Sequence, residues 1–250
     1  MKEGYNMYSD MELERIDAEI VRRNRLRKII NAFICAAVFV LSLTALMIKA
    51  KYDLATKGNI YLMFGAFTTN GTIFTGFVSL ILVLINFHEV RFGTEITKAW
   101  LYYIRLSSTA SETIIMLTVM AALLPFVPDK PSYDTIDARM THIYIPLLTI
   151  FSFLFNDAPI GRLKPREVIR GMLHLFLYSA VMLTLLGTGL MPWENAEYDF
   201  LRGGVRPYLF IAVILIYSFG FLLTWLLSWM NRKIYVLLYR GVVSVTNVKG

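Results

Sequence analysis

Cysteine is nearly absent from this sequence: Cys35 is the one thiol, and it sits inside an apolar run. A lone thiol makes no intrachain disulfide and no Cys-x-x-Cys pair. A disulfide scaffold, a cysteine-ligated zinc and a dithiol redox centre are therefore excluded. Histidine is also scarce, limited to His88, His142 and His174, with no His-Glu-x-x-His pattern. There is no Gly-x-Ser-x-Gly nucleophile elbow either. No metal and no cofactor are expected. Charge is thin at 17% of residues, against ~25% in a typical soluble domain.

What the chain has instead is apolar surface, 56% of its 250 residues. The apolar residues fall in long blocks rather than in alternation, which indicates a multi-pass membrane protein and not a soluble domain with a large core. The net charge of +7 raises nucleic acid as a partner. The basic residues lie between apolar blocks, where topology accounts for them, so no nucleic acid is expected.

Residues 1–28 are polar, and from Asp10 to Lys28 they read as a charged cytoplasmic or interfacial helix with Leu13, Ile16 and Ile20 on a weak stripe. Apolar blocks follow at roughly 29–48, 60–87, 103–127, 140–156, 170–190 and 208–230. A span needs ~20 residues. The fold expected is all-α: a six-helix transmembrane domain over 29–231, followed by a cytoplasmic tail over 232–250. The fourth block is short, so its helix should begin earlier, in "YDTIDARM". Of the 25 Lys and Arg, 18 fall on one side of these spans and 7 on the other. That bias puts both termini in the cytoplasm, in a cell membrane. Trp193 then sits near an outer boundary, and Trp100 and Trp229 near inner ones.

Three places carry polar chemistry within the spans. In "GAFTTNGTIFTGFVSLILVLINF", Thr68, Thr72, Thr75 and Ser79 share one helical face, with Thr69 and Asn70 off it. Lipid offers hydroxyls no partner, so this face meets protein or a cavity; helix packing alone would also explain it. His142 opens the fourth block in "RMTHIYIPLL", at the same end of the bundle as Thr68. A threonine hydroxyl becomes a nucleophile only when a neighbouring base takes its proton, and imidazole is suited to that. Glu112, in "LSSTASETIIMLTVM", is an acid well inside a span. It should point into the bundle, hydrogen-bonded or protonated, with His174 within reach from the same side.

Three stretches taken together resemble one family. They are "AFTTNGTIFTGFVSLIL", with a Phe-Thr start, "LTVMAALLPFVP", and "THIYIPLLTIFSFLF", with a His-x-x-x-Pro motif. In this order they resemble uncharacterised bacterial six-span proteins. Those are similar to the androgen-induced and androgen-dependent hydrolases of fatty-acid esters of hydroxy fatty acids. The resemblance covers roughly residues 30–230 and implies an intramembrane threonine nucleophile with a histidine partner. Carried over by motif, these are Thr68 and His142. Several relatives have an acid about ten residues after the histidine; here that position is Ser152, and the nearest acid is Asp157.

The function expected is a threonine-dependent hydrolase acting on a lipid ester among the membrane lipids. Thr68 would be the nucleophile and His142 the base. Thr69, Asn70, Thr72 and Glu112 would support the site or line the substrate cavity. The alternative is a non-catalytic membrane protein: a small-solute or lipid transporter, or a subunit of a membrane complex. The sequence does not specify an oligomeric state.

Overall fold

A computed structural model describes residues 10–58, 60–96, 99–123, 135–190 and 207–238. Among them the secondary structure is entirely helical. Helix α1 runs over Asp10–Lys57 without a break. The expected interfacial helix and the first apolar block are therefore one continuous helix, because nothing near Lys28 interrupts helical geometry: no proline, no glycine. A 3₁₀ turn over Ile60–Gly65 leads into α2, Phe67–Phe92. Helix α3 spans Ala99–Leu117 and widens into a π-helical turn over Thr118–Leu123.

Helix α4 occupies Ile136–Asn156 and begins inside "YDTIDARM" as expected. Two further helices, α5 (Pro165–Arg170) and α6 (Leu173–Gly187), follow. The last among the described residues, α7, spans Pro207–Leu238, so the boundary expected at residue 232 falls within it. Trp193 and the remainder of the tail lie outside the described residues.

Four of these helices are long and apolar enough to cross a membrane: Ala18–Thr56 within α1, then α2, α4 and Val213–Leu238 within α7. The helix that organises the others is none of these. From Arg105 to Thr113 every residue of α3 is buried, although the segment reads "RLSSTASET". A helix buried all round is ordinarily apolar. Here small side chains let neighbours approach from several sides. Three of the hydroxyls bond within the helix: Thr109 donates to the Arg105 carbonyl at 3.0 Å, Ser111 to that of Ser107 at 2.9 Å and Thr113 to that of Thr109 at 2.7 Å.

Around α3 the contacts are of two kinds. Apolar clusters join α3 to α4 and α7 through Leu106, Phe153 and Leu223, and join it to α1 and α2 through Leu101, Cys35 and Val78. At the end of the bundle where α3 begins, polar side chains tie four helices together. Arg105 Nε donates to Asp157 Oδ2 at 3.0 Å, and Asn31 Nδ2 donates to Asp157 Oδ1 at 2.9 Å. Ser152 donates to Asn31 Oδ1, while Asn231 donates to the Phe153 and Asp157 carbonyls at 2.8 and 3.0 Å. Close packing also fixes the α5–α6 corner. A Cβ at Gly171 would stand 2.8 Å from both Leu106 Cδ2 and Thr224 Cγ2.

Candidate functional site

Two glycines set the orientation of α2. A Cβ added to Gly71 would meet Ile115 Cδ1 at 2.6 Å, His174 Cε1 at 3.7 Å and Glu112 Oε1 at 3.8 Å, so that side of α2 faces α3 and α6. A Cβ on Gly76 would stand 3.0 Å from Ser42 Cβ, so that side faces α1. An α-helix turns ~100° per residue, which puts Gly76 about 140° around from Gly71. Between them lie Thr75, Thr68, Ser79 and Thr72, at about 40°, 60°, 80° and 100°. This face therefore looks into the groove between α1 and α3. Helix α4 closes that groove, packing against both α1 and α3.

The part of α4 nearest the start of α2 is unusual. Met140–Tyr144 form a π-helical turn that packs against α1, α2 and α3. The cause is local. Pro146 has no N–H to offer the His142 carbonyl, and its ring would collide with that carbonyl in a regular helix. The turn widens, and the Ile145 N–H reaches back to the Met140 carbonyl instead. Such single wide turns recur at functional sites. The His-x-x-x-Pro spacing is thus the device that seats the His142 imidazole, half-buried, in this turn.

Within the groove the threonine-rich face is buried, with Thr72, Thr75 and Ser79 fully so. Thr69 is buried as well, whereas Thr68, at the first turn of α2, keeps partial access. Thr75 shares a 2.9 Å hydrogen bond with Ser108. The hydroxyls of Thr72, Ser79 and Thr149 have no hydrogen-bond partner among the described residues. Asn70 has a different role: its amide donates to the Phe64 and Ala66 carbonyls and locks the 3₁₀ turn onto α2. Ser152 and Asp157 belong to the Asn31–Arg105 cluster. They lie about 15 and 22 Å along α4 from His142.

The other side of α2 holds a second polar centre, whose assembly the sequence only hinted at. His174 lies between Phe67, tilted against it with ring centroids 5.2 Å apart, and Phe74, stacked on it at 5.0 Å. Its backbone N–H donates to Ser107 Oγ at 2.7 Å, and its Nδ1 lies 2.7 Å from Ser111 Oγ. Ser111 Oγ also lies 2.9 Å from the Ser107 carbonyl, so this hydroxyl bridges the ring and its own helix. Glu112 is fully buried across Gly71 from this ring. Thr75 faces its carboxyl, yet neither carboxyl oxygen has a well-formed hydrogen bond among the described residues. The acid thus points into the bundle, as expected.

That geometry has a measurable consequence. A buried polar group without a partner costs ~1–3 kcal/mol. Glu112→Leu, similar in volume, orphans nothing, since Thr75 keeps Ser108. The variant should be at least as stable as the parent protein, and as much as ~2 kcal/mol more stable. Thermal unfolding in detergent measures this. Destabilisation by Leu but not by Gln would mean that the carboxyl does hold a partner.

No protein-family model, no curated protein and no solved structure matches this chain. The resemblance to the lipid-ester hydrolases therefore rests on the three motifs alone. Among the described residues, no group of three or more His, Cys, Asp or Glu side chains is arranged to hold a metal ion.

Proposed function

We propose that this chain is a six-span membrane protein with both termini in the cytoplasm, and that it hydrolyses a lipid ester in the groove between α1, α2, α3 and α4. One observation carries the reading. The Pro146-widened turn bearing His142 packs onto the groove into which the Thr68–Ser79 face of α2 is turned. The apolar outer faces of the helices, with Phe33, Phe77, Leu84 and Leu183 exposed, support immersion in lipid. With its wide turn, α3 runs to Leu123, long enough to serve as a span beside the four apolar helices.

In this mechanism Thr68 Oγ attacks the acyl carbonyl while His142 accepts the hydroxyl proton. The imidazolium returns that proton to the departing alcohol, leaving an acyl-threonine. Water, deprotonated by the same imidazole, then releases the fatty acid. Asn70 is committed to backbone carbonyls, so the Thr72 hydroxyl is the better donor to the developing oxyanion. Partial access to Thr68 suits a nucleophile that must meet a lipid, and full burial of Thr69 does not.

The test is labelling of the purified protein with a lipid-like fluorophosphonate, followed by mapping of the modified residue. Label on Thr68, lost in His142→Ala, is the expected result. Absence of label, with intact folding, would favour the carrier reading. That alternative has its own observation, the buried Glu112 near His174, an acid with no cationic partner among the described residues.

A further inference from the structure

At the Arg105 end of the bundle, the loop between α4 and α5 and the last turns of α7 enclose a cavity of about 280 Å³. Three cations line it: Arg162 from the loop, and Arg232 and Lys233 from α7. The indole rings of Trp225 and Trp229, each nearly half exposed, form its wall, and Ser228 adds a hydroxyl. Lys233 Nζ stands 5.9 Å above the Trp229 ring.

None of the three cations has an acidic partner among the described residues. The acids nearby in sequence are engaged elsewhere, Asp157 by Arg105 and Asn31, and Glu167 by the Lys164 backbone N–H. Three like charges around one cavity repel one another, and an anion between them relieves that repulsion. A second cavity adjoins the first, sharing Arg162, Leu163 and Trp225 with it, and continues past Lys164 and Pro165 to Phe221. From Lys233 to Phe221 the two follow α7 for about 18 Å, from its charged end towards its apolar middle. A free phosphate would fill only the charged end; an amphiphile matches both parts.

We infer that this cavity pair binds an anionic membrane phospholipid, with its phosphate between Arg162, Arg232 and Lys233 and an acyl chain along Trp225 and Phe221. Basic pockets between helices on a cytoplasmic face are suited to such headgroups. Tryptophan at that level suits the interface between headgroup and chain. The inference depends on the chain lying in a bilayer, and is independent of any hydrolysis at Thr68.

Native mass spectrometry of the full-length protein tests it, with phosphatidylglycerol and phosphatidylcholine of matched chains offered together. Retained phosphatidylglycerol should exceed phosphatidylcholine. Each cation removed should weaken retention about fivefold, so Arg162→Gln with Arg232→Gln should weaken it about 25-fold. If the double variant elutes as an aggregate, the single Arg162→Gln, on an exposed loop, gives the same reading at about fivefold. Arg232→Lys should keep most of the binding. Equal retention of the two lipids, or unchanged phosphatidylglycerol in the variants, would overturn the inference. Displacement of the lipid by millimolar inorganic phosphate alone would reassign the cavity to a free anion and overturn it too.

Discussion

Thr68→Ala is expected to abolish hydrolysis of a long-chain lipid ester, lowering kcat/KM by ~10³-fold or more while leaving expression and the elution profile unchanged. His142→Ala should cost about as much. The double variant should lose little beyond either single change, because a nucleophile and its base act as one unit. Thr69→Ala is the control, since its hydroxyl is buried and Thr68 keeps access. Pro146→Ala tests the geometry more directly. It returns an N–H to the position that the His142 carbonyl faces and lets the wide turn relax to regular helix. The imidazole is retained but re-aimed, and a displacement of ~1 Å can cost ~10²-fold. The rate should fall by about that factor with little change in stability. Full activity in Thr68→Ala would move the nucleophile to Thr69 or end the hydrolase reading, and Thr69→Ala would decide between the two.

The second large effect concerns stability. Arg105→Met should destabilise the bundle by ~3–5 kcal/mol, because it strands the Asp157 carboxylate in a site built for a partner. Arg105 is buried, and its guanidinium meets Asp157 Oδ2 at 3.0 Å and the Thr149 carbonyl at 3.5 Å. Among the described residues, Asn31 would remain as the carboxylate's side-chain donor, at 2.9 Å. The double variant Arg105→Met with Asp157→Asn should recover most of the loss, since no charge is then left unpaired. Unfolding by denaturant titration in detergent micelles gives both numbers. A single variant within ~0.5 kcal/mol of the parent protein would mean that water reaches the carboxylate and screens it.

Much of the architecture was legible in the chain itself. Lipid leaves a helix no choice but to bond its own backbone and cover it with apolar side chains, so long apolar blocks announce helices directly. For the same reason the face bearing Thr72, Thr75 and Ser79 had to turn inward, and the fourth helix had to begin within "YDTIDARM" to gain length. The tertiary structure decided what covers each face. Periodicity says that one side of a helix differs from the others, but not which neighbour meets it. It therefore did not reveal that α3, with its run of serines and threonines, lies at the centre, or that α1 runs unbroken through Lys28. Nor did it show that Asp157 belongs with Arg105, 52 residues away, instead of with His142. That Thr69 is buried and Thr68 keeps access was hidden for the same reason, because adjacent residues differ by ~100° and only the packing around Gly71 and Gly76 fixes the helix's rotation. Glu112 and His174 were each visible as polar residues in apolar runs. Their meeting across Gly71 depends on a glycine of one helix admitting side chains from two others, a contact between distant segments that only the folded chain creates.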